Sequence, residues 1–121
     1  MKRLCNAFVY ACNGIGYAFK KERNFRIELF CAVAVCIAGY VLKITQTGWL
    51  IVLINTGTVL SAELFNTAIE KLCNTFTTEF HPSVKVIKDA SAAAVLLSVF
   101  FALICGMIVF IDPVIHLIKA N

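Results

Sequence analysis

Three apolar stretches, at about residues 26–42, 48–73 and 88–111, each have the length needed to cross a hydrocarbon core of about 30 Å. Lipid offers the backbone no hydrogen bonds, so such segments must satisfy their own polar groups as helices. The hydrophobic content of 60% and mean hydropathy of +0.86 lie well above the soluble average of about half apolar, which excludes a water-soluble domain. The expected fold is therefore an all-α membrane protein, a single integral membrane domain over 1–121 with three transmembrane helices.

Residues 1–22 precede the first span. Leu4, Ala7, Phe8, Ala11, Ile15, Ala18 and Phe19 recur every three or four positions, with Lys2, Arg3, Asn6, Asn13 and Lys20 on or near the other side. This pattern predicts an amphipathic helix lying in the membrane interface. The same residues lack an unbroken apolar run before a small-residue cleavage site, so they are expected to be part of the mature protein.

Three crossings place Lys2, Arg3, Lys20, Lys21, Arg23, Arg26, Lys71, Lys85 and Lys88 on one side and leave Lys43 and Lys119 on the other. The amino terminus and the loop from Asn74 to Lys88 are therefore expected in the cytoplasm, with the carboxyl terminus outside. This asymmetry accounts for the net charge of +4, which gives no support to nucleic-acid binding. The dipeptides His81-Pro82 and Asp112-Pro113 are each expected to mark a helix boundary.

Within the second span, Ser61-Ala62-Glu63-Leu64-Phe65-Asn66-Thr67-Ala68-Ile69-Glu70 breaks the apolar pattern. At about 100° per residue, Glu63, Asn66 and Glu70 fall within roughly 60° of one another, spread along about 10 Å of axis. Ionised groups at membrane depth are costly, so this polar seam is a candidate site, Glu63 above all because Leu60, Leu64 and Phe65 surround it. The span enters at Trp49, suited to an aromatic belt, and Glu63 then lies near the inner edge of the hydrocarbon, with Glu70 closer to the cytosol.

Glu22 and Glu28, at the start of the first span, are plausible company for Glu70. Few, hard oxygen ligands suit Mg²⁺, which keeps waters and shares substrate phosphates. Lys88-Asp89 adds a positive charge beside a carboxylate, and together these groups describe a phosphoryl-transfer site. A plainer reading remains open: Glu70 with Lys71, and Lys88 with Asp89, as solvated interfacial charges, with Glu22 and Glu28 as surface ion-pair partners. Asn13-Gly14-Ile15-Gly16 lacks the Lys and hydroxyl of a P-loop, and no kinase H-R-D or D-F-G set occurs. The six cysteines form no C-x-x-C pair and read as small buried thiols. Small residues at 90–94 permit close helix contact, and a thin bundle with buried carboxylates points to a homo-oligomer.

The run from Ala62 to Glu70, with Lys88-Asp89 and the Ala-rich span after it, resembles the prokaryotic diacylglycerol kinase and undecaprenol kinase family of integral membrane enzymes. The similarity extends from Arg3 to about Phe110. It implies a homotrimer in the bacterial plasma membrane, with cytoplasm-facing sites between protomers that transfer the γ-phosphate of Mg-ATP to a lipid hydroxyl. By matching motif, Glu63 stands at the general base and Glu22 and Glu70 at the metal-binding carboxylates. Arg3, Tyr10, Glu28, Asn66, Lys88 and Asp89 match residues at the nucleotide or its surroundings, and Glu79-Phe80-His81 matches a nucleotide-contacting turn. Phe80 departs from the tyrosine of diacylglycerol-specific members. Lys20 to Ile27, Ser61 to Leu64 and His81-Pro82 favour undecaprenol as acceptor, with diacylglycerol the alternative. A rival of another class is a non-catalytic helix bundle or small ion or proton carrier, in which Glu63 and Glu70 relay protons or hold a cation.

Overall fold

In the computed structural model, which describes residues 1–120, the chain forms four helices and no strand among those residues. Helix α1 runs Lys2–Lys21, α2 Arg23–Val41, α3 Gln46–Phe76 and α4 Pro82–Lys119. The last three are long and apolar enough to span a membrane, as the hydropathy pattern predicts. Their up, down, up order brings the start of α2, the end of α3 and the start of α4 to one end of the bundle.

Sequence punctuation explains most of the ends. Glu22 adopts an extended backbone (φ −101°, ψ 115°) that stops α1 and starts α2. Arg26 Nη1 reaches back and donates to the carbonyls of Phe19 at 3.0 Å and Lys20 at 3.2 Å, placing a cation at the negative end of α1. After α2, Lys43 takes the left-handed conformation (φ 52°), Ile44 N–H bonds to Gly39 C=O at 3.1 Å and Lys43 N–H to Tyr40 C=O at 3.3 Å. These two bonds make a Schellman cap with lysine where glycine is usual. Gly39 is needed in this corner: a Cβ there would lie 2.9 Å from Ile44 Cδ1 and 3.3 Å from the Trp49 ring. Thr45 Oγ1 caps α3 by accepting from Gly48 N–H, and His81 Nδ1 caps α4 by accepting from Ser83 N–H with Pro82 at the first helical position.

One expected boundary is overturned. Asp112-Pro113 does not end α4, which contains Pro113 and runs on to Lys119. Proline forfeits one backbone hydrogen bond, to the carbonyl of Val109, and a long helix near a membrane surface absorbs that loss.

Helix α3 packs most extensively on α4 and next on α2, whereas α1 touches α2 and α3 only lightly. The buried hydrophobic residues are only Ala18, Phe25, Ile44, Val52 and Cys73, far too few to hold a chain of this size together in water. The surface left over is lipid-like, with Leu96, Leu103, Met107 and Ile108 all exposed. The cysteines also depart from expectation: all six are free, but only Cys73 is buried, Cys36 and Cys105 being partly covered and Cys5, Cys12 and Cys31 exposed.

Candidate active site

Polar side chains in α3 fall into two groups. Asn55, Thr56 and Thr58 donate to the carbonyls of their own helix at Ile51, Val52 and Ile54, between 2.8 and 2.9 Å. They satisfy themselves locally, which lipid demands, and need no further role. The group toward the carboxyl-terminal end of α3 behaves differently. Glu63 is only 2% exposed, and Asn66 and Thr67 are each 8% exposed, so half of the buried residues of α3 are polar and consecutive along one seam.

Around Glu63 the expected carboxylates converge. Glu22, at the α1–α2 junction, and Glu70, two turns along α3, both lie within coulombic reach of it, and Glu63 in turn acts on Glu28 in α2. Glu22, Glu28 and Glu70 are half-buried, and Glu28 Oε2 is buried with no hydrogen-bond partner. Thr67 Oγ1, one turn beyond Glu63, is likewise unpartnered. Lys71 lies within coulombic reach of Glu22, its ammonium 5.1 Å from the centre of the Tyr17 ring. Among the described residues the one salt bridge is Lys85–Asp89, so no cation pairs directly with these four acids.

That donor set fits Mg²⁺ in a specific way. Among the described residues no three His, Cys, Asp or Glu side chains are grouped so as to hold a metal by themselves. Two carboxylates from different helices, Glu22 and Glu70, with the remaining positions left to water and phosphate oxygens, match the habits of that ion. Carboxylates with no cation bonded directly to them, and an orphaned carboxylate oxygen among them, suit a cation.

On the other side of the seam α4 contributes Lys88, whose Nζ donates to Asn74 Oδ1 at 3.2 Å. Asp89 does not accompany it. Neighbouring residues diverge by about 100° on a helix, and Asp89 instead pairs with Lys85 on the exposed side. Glu79 and His81 are exposed in the α3–α4 turn, where Thr77 Oγ1 accepts from Glu79 N–H. Arg3 and Tyr10 are not brought to the carboxylates within one chain. Residues 1–15 of α1 are exposed throughout, and Arg3 and Tyr10 lie about 28 Å and 18 Å along the helix from Glu22.

An apolar cavity of about 680 Å³ opens between α2, α3 and α4, walled by residues such as Val35, Val52, Val59 and Met107. Glu28 belongs both to this wall and to the carboxylate cluster, so the two meet there. Two site-side residues escape a reading of the sequence. Asn74 is the next member of the stripe Asn66, Glu70, Asn74, a spacing that was there to be found. Ser91 is hidden among alanines.

Over residues 9–110 the sequence matches the family of prokaryotic diacylglycerol kinases. The chain belongs to that family. It is similar to the undecaprenol kinase of Bacillus subtilis, 35% identical over 111 residues that cover 92% of this chain and 90% of that one. The diacylglycerol kinase of Synechocystis sp. is 36% identical over 112 residues, 92% of this chain, which spans 64% of that protein's length. A diacylglycerol kinase of Helicobacter pylori is 36% identical over 110 residues, 87% of this chain and 83% of that one. Membership makes this chain a membrane lipid kinase, an integral membrane enzyme, and sets aside the inert helix bundle.

Proposed function

We propose that this lipid kinase transfers the γ-phosphate of ATP, bound with Mg²⁺, to the hydroxyl of undecaprenol at the cytoplasmic face of a bacterial plasma membrane, and that it does so as a homotrimer. The observation that carries this reading is Glu63, 2% exposed at membrane depth amid three other carboxylates, with Glu28 joining that cluster to an apolar cavity. A lipid alcohol needs a place where an apolar tail and a reacting oxygen are held together, and this junction offers one.

In this reading the acceptor oxygen attacks the γ-phosphorus, the bond from that phosphorus to the bridging oxygen of ADP breaks, and the hydroxyl proton passes to Glu63. An alcohol is a far weaker acid than a carboxyl group, so Glu63 first orients the hydroxyl and takes its proton late, as charge leaves the γ-phosphate. Glu22 and Glu70 would hold the metal, which when bound would offset the negative charge of the phosphates. Lys88, anchored beside the seam, offsets the charge that develops on transfer. Glu28, Asn66, Glu79 and His81 lie around the nucleotide, and Asp89 joins them on leaving its pairing with Lys85. Arg3 and Tyr10, on a helix whose first fifteen residues have no partner in their own chain, serve the nucleotide of a neighbouring protomer. Sparse burial and the unfilled apolar faces support that assembly.

Undecaprenol is favoured by the Bacillus subtilis relative, matched over nine-tenths of both chains. Diacylglycerol is the second reading, supported by relatives of that name at equal identity. The test is transfer of label from γ-labelled ATP, with Mg²⁺, by the purified full chain in mixed micelles offering either lipid. Preferential labelling of polyprenol is expected. Equal or greater labelling of diacylglycerol overturns the acceptor, and no label in either lipid from folded protein overturns the reaction.

A further inference from the structure

Ser91 is the one buried residue of α4, a helix of 38 residues, and it is polar. Close packing alone would be served by alanine, as at Ala90, Ala92, Ala93 and Ala94 around it. The hydroxyl is used instead. Ser91 Oγ lies 2.7 Å from Asn66 Oδ1, a bond buried between α3 and α4, and 3.0 Å from the carbonyl of Lys88 one turn back. A single side chain thus joins the amide of the carboxylate seam to the turn that carries Lys88.

With Asn66 Oδ1 accepting from Ser91, the amide is held through its oxygen and its two N–H donors are not committed to its own helix. Asn55, on the same helix, shows what an asparagine does without such a partner: its Nδ2 falls back on its own Ile51 carbonyl at 2.9 Å. An amide folded back in that way has spent one of its two donors on the backbone and is oriented by its own helix rather than toward a ligand. Asn66 is spared that collapse by the Ser91 hydroxyl.

We propose that Ser91 is a positioning residue for phosphoryl transfer: it holds the Asn66 amide with its donors turned toward the anionic oxygens of the nucleotide and in fixed register with Lys88. This rests on the kinase reading above. Removing the hydroxyl lets Asn66 turn back onto α3, as Asn55 does, and weakens nucleotide binding without touching Glu63. The transition state keeps its base, so the loss falls on KM for ATP rather than on kcat.

The experiment is a double-mutant cycle on the full chain with Ser91→Ala, Asn66→Ala and the pair, alongside Ser91→Thr, which retains the hydroxyl. KM for Mg-ATP, kcat and the thermal unfolding midpoint are measured for each. Ser91→Ala is expected to raise KM by about fivefold to tenfold, the worth of one hydrogen bond, with kcat little changed. In the Asn66→Ala background the same substitution adds nothing further. The proposal is overturned if Ser91→Ala leaves KM within twofold of the parent, if its effect persists undiminished without Asn66, or if kcat and thermal stability fall together while KM does not move. Ser91→Thr separates hydroxyl from volume: a KM near the parent supports the proposal, and one matching Ser91→Ala in a stably folded variant counts against it. Absence of transfer by the parent protein sinks the kinase reading, and this inference with it, whereas normal transfer with an unaffected Ser91→Ala sinks the positioning role alone.

Discussion

On the one polar seam of α3, the amides and the carboxylates are completed to different degrees. Toward α4, Asn66 bonds to Ser91 and Asn74 to Lys88, so both amides have partners inside one chain. The carboxylates differ: Glu22 and Glu70 lie within coulombic reach of Glu63, and Glu63 of Glu28, while Glu28 Oε2, and Thr67 Oγ1 on the same seam, are unpartnered. A buried polar group without a partner costs about 1–3 kcal/mol, so folding alone gives no reason to keep these two. The amides are bonded within one chain, and the carboxylates are left short of partners.

That contrast can be broken most sharply at Glu63. Glu63→Gln keeps the shape and removes the base, and is expected to lower kcat by about a hundredfold or more with little change in nucleotide KM. Near-normal turnover in this variant and in Glu70→Gln alike would mean that the carboxylate cluster is not where transfer occurs. Next in size is the metal requirement. Glu70→Gln should raise the Mg²⁺ concentration for half-maximal rate by about tenfold or more, with activity recovering as Mg²⁺ is added, and a rate that is low but indifferent to Mg²⁺ would argue against Glu70 as a ligand. Smallest is Thr67→Val, which deletes the orphaned hydroxyl at constant shape. The ligand-free protein should become more stable by about 1 kcal/mol, read as a higher unfolding midpoint. Loss of stability would instead show that the hydroxyl already has a partner, and would narrow that difference.

Much of the architecture was legible because lipid makes the rules strict. Apolar length gives the spans, and the three- and four-residue spacing of Leu4, Phe8, Ala11 and Ile15 gives the surface helix. Pro113 misleads, since a proline signals a lost hydrogen bond rather than a stop, and a long helix at a membrane surface survives one. The carboxylate cluster was readable from Glu63 and Glu70 at helical spacing, with Glu22 and Glu28 at the matching end of α2. Lys88 and Asp89 read as a unit only because a sequence is linear; on a helix they point apart, and Asp89 turns to Lys85. Ser91 was invisible for the opposite reason. Its value as a small residue and its value as a hydroxyl look the same until the partner helix shows which one is used.

At 1.5 Å per residue, the 38 residues of α4 extend about 57 Å, nearly twice the hydrocarbon thickness. Lys85, Lys88 and Asp89 stand at one end of this rod and Asp112, His116 and Lys119 at the other, so sliding either way would drag charge into oil. The rod is consequently pinned in height, like a gauge post driven through the bilayer. Because Ser91 clasps Asn66 from that post, the polar seam of α3 inherits a set depth relative to the headgroups.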